Sequence, residues 1–248
     1  MAEFNHLSKF IGQDRLKQGI ITLITSSTKT GNALHHILLC AESGMGKTTL
    51  AKIIAAELGV QIRITSGPAL EHTGDLAAML TNLKKKDILF IDEIHRINKS
   101  VEEVLYPAME DSAIDLMIGK GPGSRSLTLD LQPFTVIGTT SNPLRVAKEI
   151  IDSMFEFDFD SYNLEEISQI ITNSARQQQI DISLDAADLI AKYSNGCPAD
   201  SLRILKKVYE YAIVHSDGLI ASLIAKDAID IFNIKTKDRR DRDSRSRQ

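Results

Sequence analysis

Hydrophobic positions along the chain follow two regimes. Through about residue 160, short apolar runs rich in β-formers alternate with helix-like segments, the order that builds a parallel sheet covered by helices. The runs that predict strands are Ile37 to Cys40, Val60 to Thr65, Ile88 to Ile91 and Phe134 to Thr140. The third and fourth are almost continuously apolar, as strands buried on both faces must be, and are expected at the sheet's centre. From Asn163 the period changes. Ile167, Ile170 and Ile171, then Ala187, Ile190 and Ala191, then Leu202, Leu205, Val208, Tyr209 and Ala212 recur at helical spacing. Breaks at Ile182-Ser183, Asn195-Gly196-Cys197-Pro198 and Asp217-Gly218 separate these helices. The pattern therefore predicts an α/β domain over residues 1–160, with helices flanking a parallel sheet, and a small all-α domain over residues 161–234.

Two stretches depart from this scheme. Between Ile114 and Leu131, Ile114, Leu116 and Ile118 alternate outward, Gly119 to Gly123 turns, and Leu127, Leu129 and Leu131 alternate back, which predicts a β-hairpin. It reads either as an edge hairpin or as a docking surface. Residues 235–248 contain seven Lys/Arg, three Asp and no apolar side chain, the composition of a charged, disordered tail.

Composition narrows the class. The 248 residues, 43% hydrophobic, suffice for one substantial core and a second small one. No apolar run reaches the ~18 residues of a membrane span, and Met1 to Phe10 lacks the order of a signal peptide, so a cytoplasmic protein without membrane partners is expected. Cys40 and Cys197 offer neither a disulfide framework nor a metal pair, and the six histidines show no zinc-ligand spacing. Any metal is expected to be Mg²⁺ arriving with a nucleotide. A net charge of −4 argues against a general nucleic-acid-binding surface.

The residues that carry chemistry begin with Gly44-Met45-Gly46-Lys47-Thr48-Thr49, set between the strand ending at Cys40 and a helix predicted over Thr49 to Leu58. Glycines there let backbone N–H groups approach phosphate, Lys47 supplies a point charge to the terminal phosphates of ATP, and Thr48 can ligate Mg²⁺. The first position of this phosphate-loop pattern is Ala41 in place of glycine. Downstream, the apolar run Asp87 to Ile91 ends in Asp92-Glu93. That spacing puts one carboxylate, Asp92, near the metal and a second, Glu93, where it polarises the attacking water. The last predicted strand ends in Thr140-Ser141-Asn142, polar groups at a sheet edge where ligands bind, one of which is expected to sense the γ-phosphate or hold the water.

These residues lie in stretches that resemble the RuvB family, the bacterial AAA+ motors of Holliday-junction branch migration. The similarity runs through Phe10-Ile-Gly-Gln13, the phosphate loop, Ile62 to Pro68, Gly74 to Ala78, Leu80 to Leu83, Leu89 to Arg96, Glu102 to Asp111 and Ile118 to Pro122. It fades between Ser141 and Phe159 and resumes more weakly with Ser174-Ala-Arg176 and Gly196-Cys-Pro198. The resemblance implies a P-loop AAA+ domain with a helical lid, assembly as a hexameric ring on DNA, and a junction-binding partner similar to RuvA. It implies further that Leu116 and Ile118 of the hairpin contact that partner, and that Phe10 and Ile11 lie beside the adenine.

The chain departs from the family pattern at three places. After the lid the family continues into a DNA-binding winged helix, where this sequence has the charged tail, so DNA binding by the chain alone is expected to be weak. The family's lid arginine that touches nucleotide falls at Ala199, in Gly196-Cys-Pro-Ala199. Its trans-acting arginine matches Arg145 by the letters Pro143-Leu-Arg145, but a nearly ungapped alignment places Ile150 or Ile151 there. Three readings of function follow: a branch-migration ATPase, a related ATP-binding interaction subunit with weak or no hydrolysis, and another AAA+ activity such as clamp loading or remodelling.

Overall fold

The computed structural model describes residues 6–118 and 125–235. Its internal contacts divide the chain into two units, Met1–Ser43 with Lys47–Phe159, and Gly44–Gly46 with Asp160–Gln248. In the first, the strands are β1 (Ile37–Cys40), β2 (Ile62–Ser66), β3 (Ile88–Asp92), β4 (Ala113–Ile118), β5 (Arg125–Asp130), β6 (Thr135–Thr140) and β7 (Phe155–Asp158). Five of them form one parallel sheet in the order β2-β3-β6-β1-β7. The helices are α1 (Asp14–Thr30), α2 (Lys47–Leu58), α3 (Thr73–Thr81), α4 (Lys99–Asp111) and α5 (Lys148–Asp152).

Because side chains alternate across a strand, the interior strands feed two separate cores. Leu38, Leu89, Ile91 and Val136 face one, with residues of α3, α4 and α5. Ile37, Leu39, Ile88, Phe90 and Ile137 face the other, with α1 and α2. This two-sided burial is why β1 and β3 read as apolar runs and why β6, threonines included, is buried along its whole length. The predicted second strand begins two residues late, at Ile62. Gly59, at φ +66°, ends α2: its N–H and that of Val60 bond back to Ala56 and Ala55 carbonyls, which takes Val60 into the helix cap. β7 was absent from the sequence reading. It is an edge strand whose two phenylalanines alternate with Glu156 and Asp158, too short and too charged for an apolar signal.

β4 and β5 pair antiparallel as a two-stranded sheet of their own, with Leu116 opposite Leu127 and Ile118 opposite Arg125. The predicted hairpin therefore exists without forming an edge of the main sheet. The side chains of Leu116 and Ile118, the turn at 119–124 and the tail beyond Lys235 lie outside the described residues.

The second unit packs α6 (Leu164–Gln177), α7 (Leu184–Tyr193), α8 (Pro198–His215) and α9 (Ser222–Ile231) around Ile167, Ile171, Ile190, Leu205, Val208 and Ile229. Asn163 and Glu166 exchange side-chain-to-backbone hydrogen bonds of 2.8 Å each, a capping box that starts α6. Ser183 caps α7, and Pro198 opens α8, where its missing N–H costs nothing. A parallel bridge between Ile182 and Ile220 ties the α6–α7 loop to the α8–α9 loop. Among the described residues no helix is long and apolar enough to cross a membrane.

Phe90 is fully buried on β3. Replacing it with alanine should cost about 3–5 kcal/mol through lost burial and a residual cavity. The check is the shift of the first unit's unfolding midpoint in urea, followed by circular dichroism.

Candidate active site

The strand order brings three chain ends together. β6 lies between β1, which leads into the phosphate loop, and β3, which ends in Asp92. All three run parallel, so their C-terminal ends share one edge of the sheet.

From β1 the ladder continues one residue further, the Ala41 N–H donating to the Thr140 carbonyl at 3.0 Å. The family's missing glycine at Ala41 thus falls where ordinary strand geometry holds. Gly44 and Gly46, at φ +87° and +97°, take left-handed conformations that a side chain would oppose. By their contacts Gly44–Gly46 belong to the second unit. The Gly44 carbonyl accepts from the Ala199 N–H at 3.1 Å, and the Met45 carbonyl from the Tyr162 hydroxyl at 3.2 Å. Gly44 sits so closely that an added Cβ would lie 2.9 Å from both Cys197 Sγ and Ala199 Cβ.

Lys47 begins α2, with Thr48 half-buried and Thr49 exposed behind it. The Lys47 side chain is buried, and Nζ donates to the carbonyls of Ala41 at 2.6 Å and Glu42 at 2.8 Å. Burial lowers its pKa, while the carboxylates of Glu93 and Asp92 favour its charged form. Cys40, at the end of β1, is pushed up to about 11, chiefly by burial and then by Asp158 and Glu156. It is a packed thiol with no nucleophilic character.

At the end of β3, Asp92 Oδ1 accepts from Thr139 Oγ1 at 2.6 Å. The same hydroxyl accepts the Glu93 N–H at 3.1 Å. Glu93 is left-handed, at φ +53°, a conformation a non-glycine residue holds only where its surroundings enforce it. Gly67 leaves room for it: a Cβ there would fall 2.4 Å from the Glu93 carbonyl oxygen.

The end of β6 completes the cluster. Ser141 Oγ donates to Glu93 Oε2 at 3.3 Å, and His95 Nε2 lies 3.4 Å from the same oxygen. The other ring nitrogen of His95, Nδ1, is 2.8 Å from Thr140 Oγ1, which accepts the Asn142 N–H at 2.9 Å. Desolvation lowers the His95 pKa, and Arg145, Arg96 and Lys47 lower it further against the opposing pull of Glu93.

The structure thus brings Lys47, Asp92, Glu93, Thr140 and Ser141 to one edge. Arg145 ends an exposed 3₁₀ turn, Pro143–Arg145, close enough to act electrostatically on His95 of its own chain. Of Ile150 and Ile151, the alternative alignment's arginine positions, the first is buried in the sheet's core and the second packs partly buried against it. Phe10 is also a core residue, edge-on to Phe159 at 6.5 Å between centroids, with Ile11 half-buried beside it. Two participants escaped the sequence reading, Thr139 and His95. Thr139 stood inside a strand counted only for its apolar residues; a threonine in a strand buried on both faces must hydrogen-bond its hydroxyl, and that requirement was the available signal.

Backbone amides at a helix N-terminus, a buried amine and two adjacent carboxylates fit a Mg²⁺-bound polyphosphate. Among the described residues no cluster of three or more His, Cys, Asp or Glu could hold a metal ion by itself. Strand order, glycine-bearing loop and acid pair define a P-loop domain of the AAA+ class, joined to a helical lid.

Comparison with known proteins gives the family. Residues 3–157 match the Holliday junction DNA helicase RuvB P-loop domain, and residues 162–235 match the RuvB AAA lid domain. Among solved structures, the Thermotoga maritima RuvB Holliday junction branch migration motor is 36% identical, with a TM-score of 0.84, covering 96% of this chain and 76% of that one. A point mutant of Thermotoga maritima RuvB is 37% identical with a TM-score of 0.85, covering 94% and 74% respectively. The chain belongs to the RuvB family.

Lys47→Ala removes the one buried cation of the phosphate loop and should weaken ATP binding by at least ~10²-fold, since charge-assisted contacts to phosphate are the strong ones. Calorimetric titration reads the affinity. An unchanged far-UV spectrum is expected beside it.

Proposed function

We propose that this chain is the ATP-hydrolysing motor subunit of a Holliday-junction branch-migration machine, working in DNA recombination and repair in the cytoplasm. The observation that supports this best is the convergence of Lys47, Asp92, Glu93 and the end of β6 on one sheet edge, in a chain of the RuvB family. In this reading Gly44, Met45, Gly46, Lys47, Thr48 and Thr49 hold the phosphates of ATP, with Phe10 and Ile11 on the adenine side. Thr48 and Asp92 hold Mg²⁺, whose chemistry is to neutralise charge on the phosphate oxygens. Glu93 takes a proton from the attacking water as the water oxygen bonds to the γ-phosphorus. The bond from that phosphorus to the bridging oxygen breaks, and ADP keeps the electron pair. Ser141 steadies the Glu93 carboxylate, and Thr140 fixes the loop that follows β6.

Around this centre we place the assembly expected of the family: a homo-oligomer, a hexameric ring on DNA, with a RuvA-like junction-binding protein docked on the β4–β5 hairpin through Leu116 and Ile118. The chain alone should bind DNA weakly and in a salt-dependent way. A second reading, an ATP-binding subunit with weak hydrolysis, is favoured by Ala199 in the first turn of α8, where the family's lid carries an arginine. Steady-state ATPase with and without junction DNA and a RuvA-like protein separates the two: stimulated turnover marks the motor, and binding without turnover marks the subunit.

Glu93→Gln should keep Mg²⁺-ATP binding and lower turnover by about 10²–10⁴-fold, because an amide cannot accept the proton. Single-turnover assays beside calorimetry check both halves. Leu116→Asp or Ile118→Asp should weaken capture of a RuvA-like partner by ~10-fold or more without changing ATP affinity, since a charge resists desolvation in an apolar contact. A pull-down with each variant reads that loss.

A further inference from the structure

His95 stands two residues beyond Glu93, at the centre of the short 3₁₀ turn Ile94–Arg96, and only 8% of its side chain is exposed. Its two ring nitrogens face different partners. Nδ1 meets the hydroxyl of Thr140 at 2.8 Å, and Nε2 meets Glu93 Oε2 at 3.4 Å. Which nitrogen carries the proton is decided by what each partner can offer.

Thr140 is completely buried. Its oxygen already accepts the Asn142 N–H, at 2.9 Å, so its own hydrogen must find an acceptor. Nδ1 is the acceptor at hand. The Nε2 side agrees: a bare nitrogen lone pair 3.4 Å from a carboxylate oxygen would repel it, whereas an Nε2–H is attracted to it. A chain of contacts results, running from the Asn142 amide to the Thr140 hydroxyl, to Nδ1 and across the ring, whose Nε2 faces Glu93 Oε2 at 3.4 Å, an electrostatic contact longer than an ordinary hydrogen bond. Ser141 Oγ donates to that same oxygen. Ser141 and the His95 ring therefore both face Oε2, while no hydrogen bond occupies Oε1 among the described residues. Burial, and less strongly the cations Arg145, Arg96 and Lys47, lower the ring's pKa against the opposing pull of Glu93, which favours the neutral state this tautomer needs.

We propose that His95 is a positioning residue that, as the neutral Nε2–H tautomer, ties the Glu93 carboxylate to the end of β6 through Oε2 and so reserves Oε1 for the attacking water. The inference rests on reading Glu93 as the group that activates water.

Two measurements on the full chain test it. In the first, long-range ¹H–¹⁵N correlation spectra of ¹⁵N-histidine-labelled protein, with the His95 signals assigned by their loss in His95→Gln, report the tautomer without any need for turnover. The Nε2–H pattern is expected, and an Nδ1–H or doubly protonated ring at neutral pH overturns the proposal. In the second, turnover and ATP affinity are compared for His95→Gln and His95→Asn. A glutamine amide reaches the Nε2 position and can donate to Glu93; an asparagine amide reaches only the Nδ1 position. Gln should retain turnover within ~5-fold, and Asn should lose about 10²-fold, the lower range of a misaligned general base, with ATP affinity unchanged in both. Equal turnover in Asn and wild type overturns the positioning role. Glu93→Gln run in parallel separates the two ideas: if it hydrolyses like wild type, the Glu93 reading fails; if it is inactive while His95→Asn is fully active, only the His95 inference fails.

Discussion

The position of β6 between β1 and β3 is the constraint on which the site depends. Neighbouring strands stand ~4.8 Å apart, so one intervening strand sets the phosphate loop and the acid pair roughly 10 Å from each other at the sheet's edge. That is room for a phosphate chain, a cation and a water. It also means that whatever ends β6 stands between the two halves of the site. Thr139 and Thr140 occupy that place, the first donating to Asp92 and accepting the Glu93 N–H, the second accepting the Asn142 N–H and meeting His95 Nδ1. A valine of the same shape would fill the space and orient neither carboxylate.

Hydrogen bonding does most of the positioning. Asp92 and Glu93 are adjacent carboxylates that would repel if left to themselves. Thr139 meets one through its hydroxyl and the other through the Glu93 backbone, while Ser141 and His95 meet the Glu93 side chain. Lys47 balances them at a distance, its amine held by two loop carbonyls and its charge favoured by both acids. Glu93 keeps a left-handed backbone within this net, with Gly67 leaving space for its carbonyl. Strain of that kind persists only where the neighbours over-determine it, and here they do.

The two units divide the work of folding. The sheet buries two cores, one on each face, and these explain the long apolar runs of the first unit. The four helices of the second bury a core of their own, started by local caps at Asn163, Ser183 and Pro198. Family membership covers both, since the matched P-loop and lid models lie on the two units in turn.

What the sequence determined by itself was whatever short-range chemistry encodes. The phosphate loop, the acid pair after an apolar strand, four of the five sheet strands and the helical second unit are all local patterns, legible because periodicity and turn chemistry act within a few residues. The hairpin was legible for the same reason. Edge strand β7 was not: a half-exposed strand needs few apolar residues, and Phe155–Asp158 carries two acids. The strand order was invisible too, because nothing in the letters of Phe134 to Thr140 says that they lie between strands formed some 45 and 95 residues earlier. Thr139 and His95 gained their meaning only there. Each is an ordinary polar residue until tertiary packing removes water from around it, at which point its hydrogen-bonding groups must be met, and the groups that meet them are those of Asp92, Glu93 and Thr140.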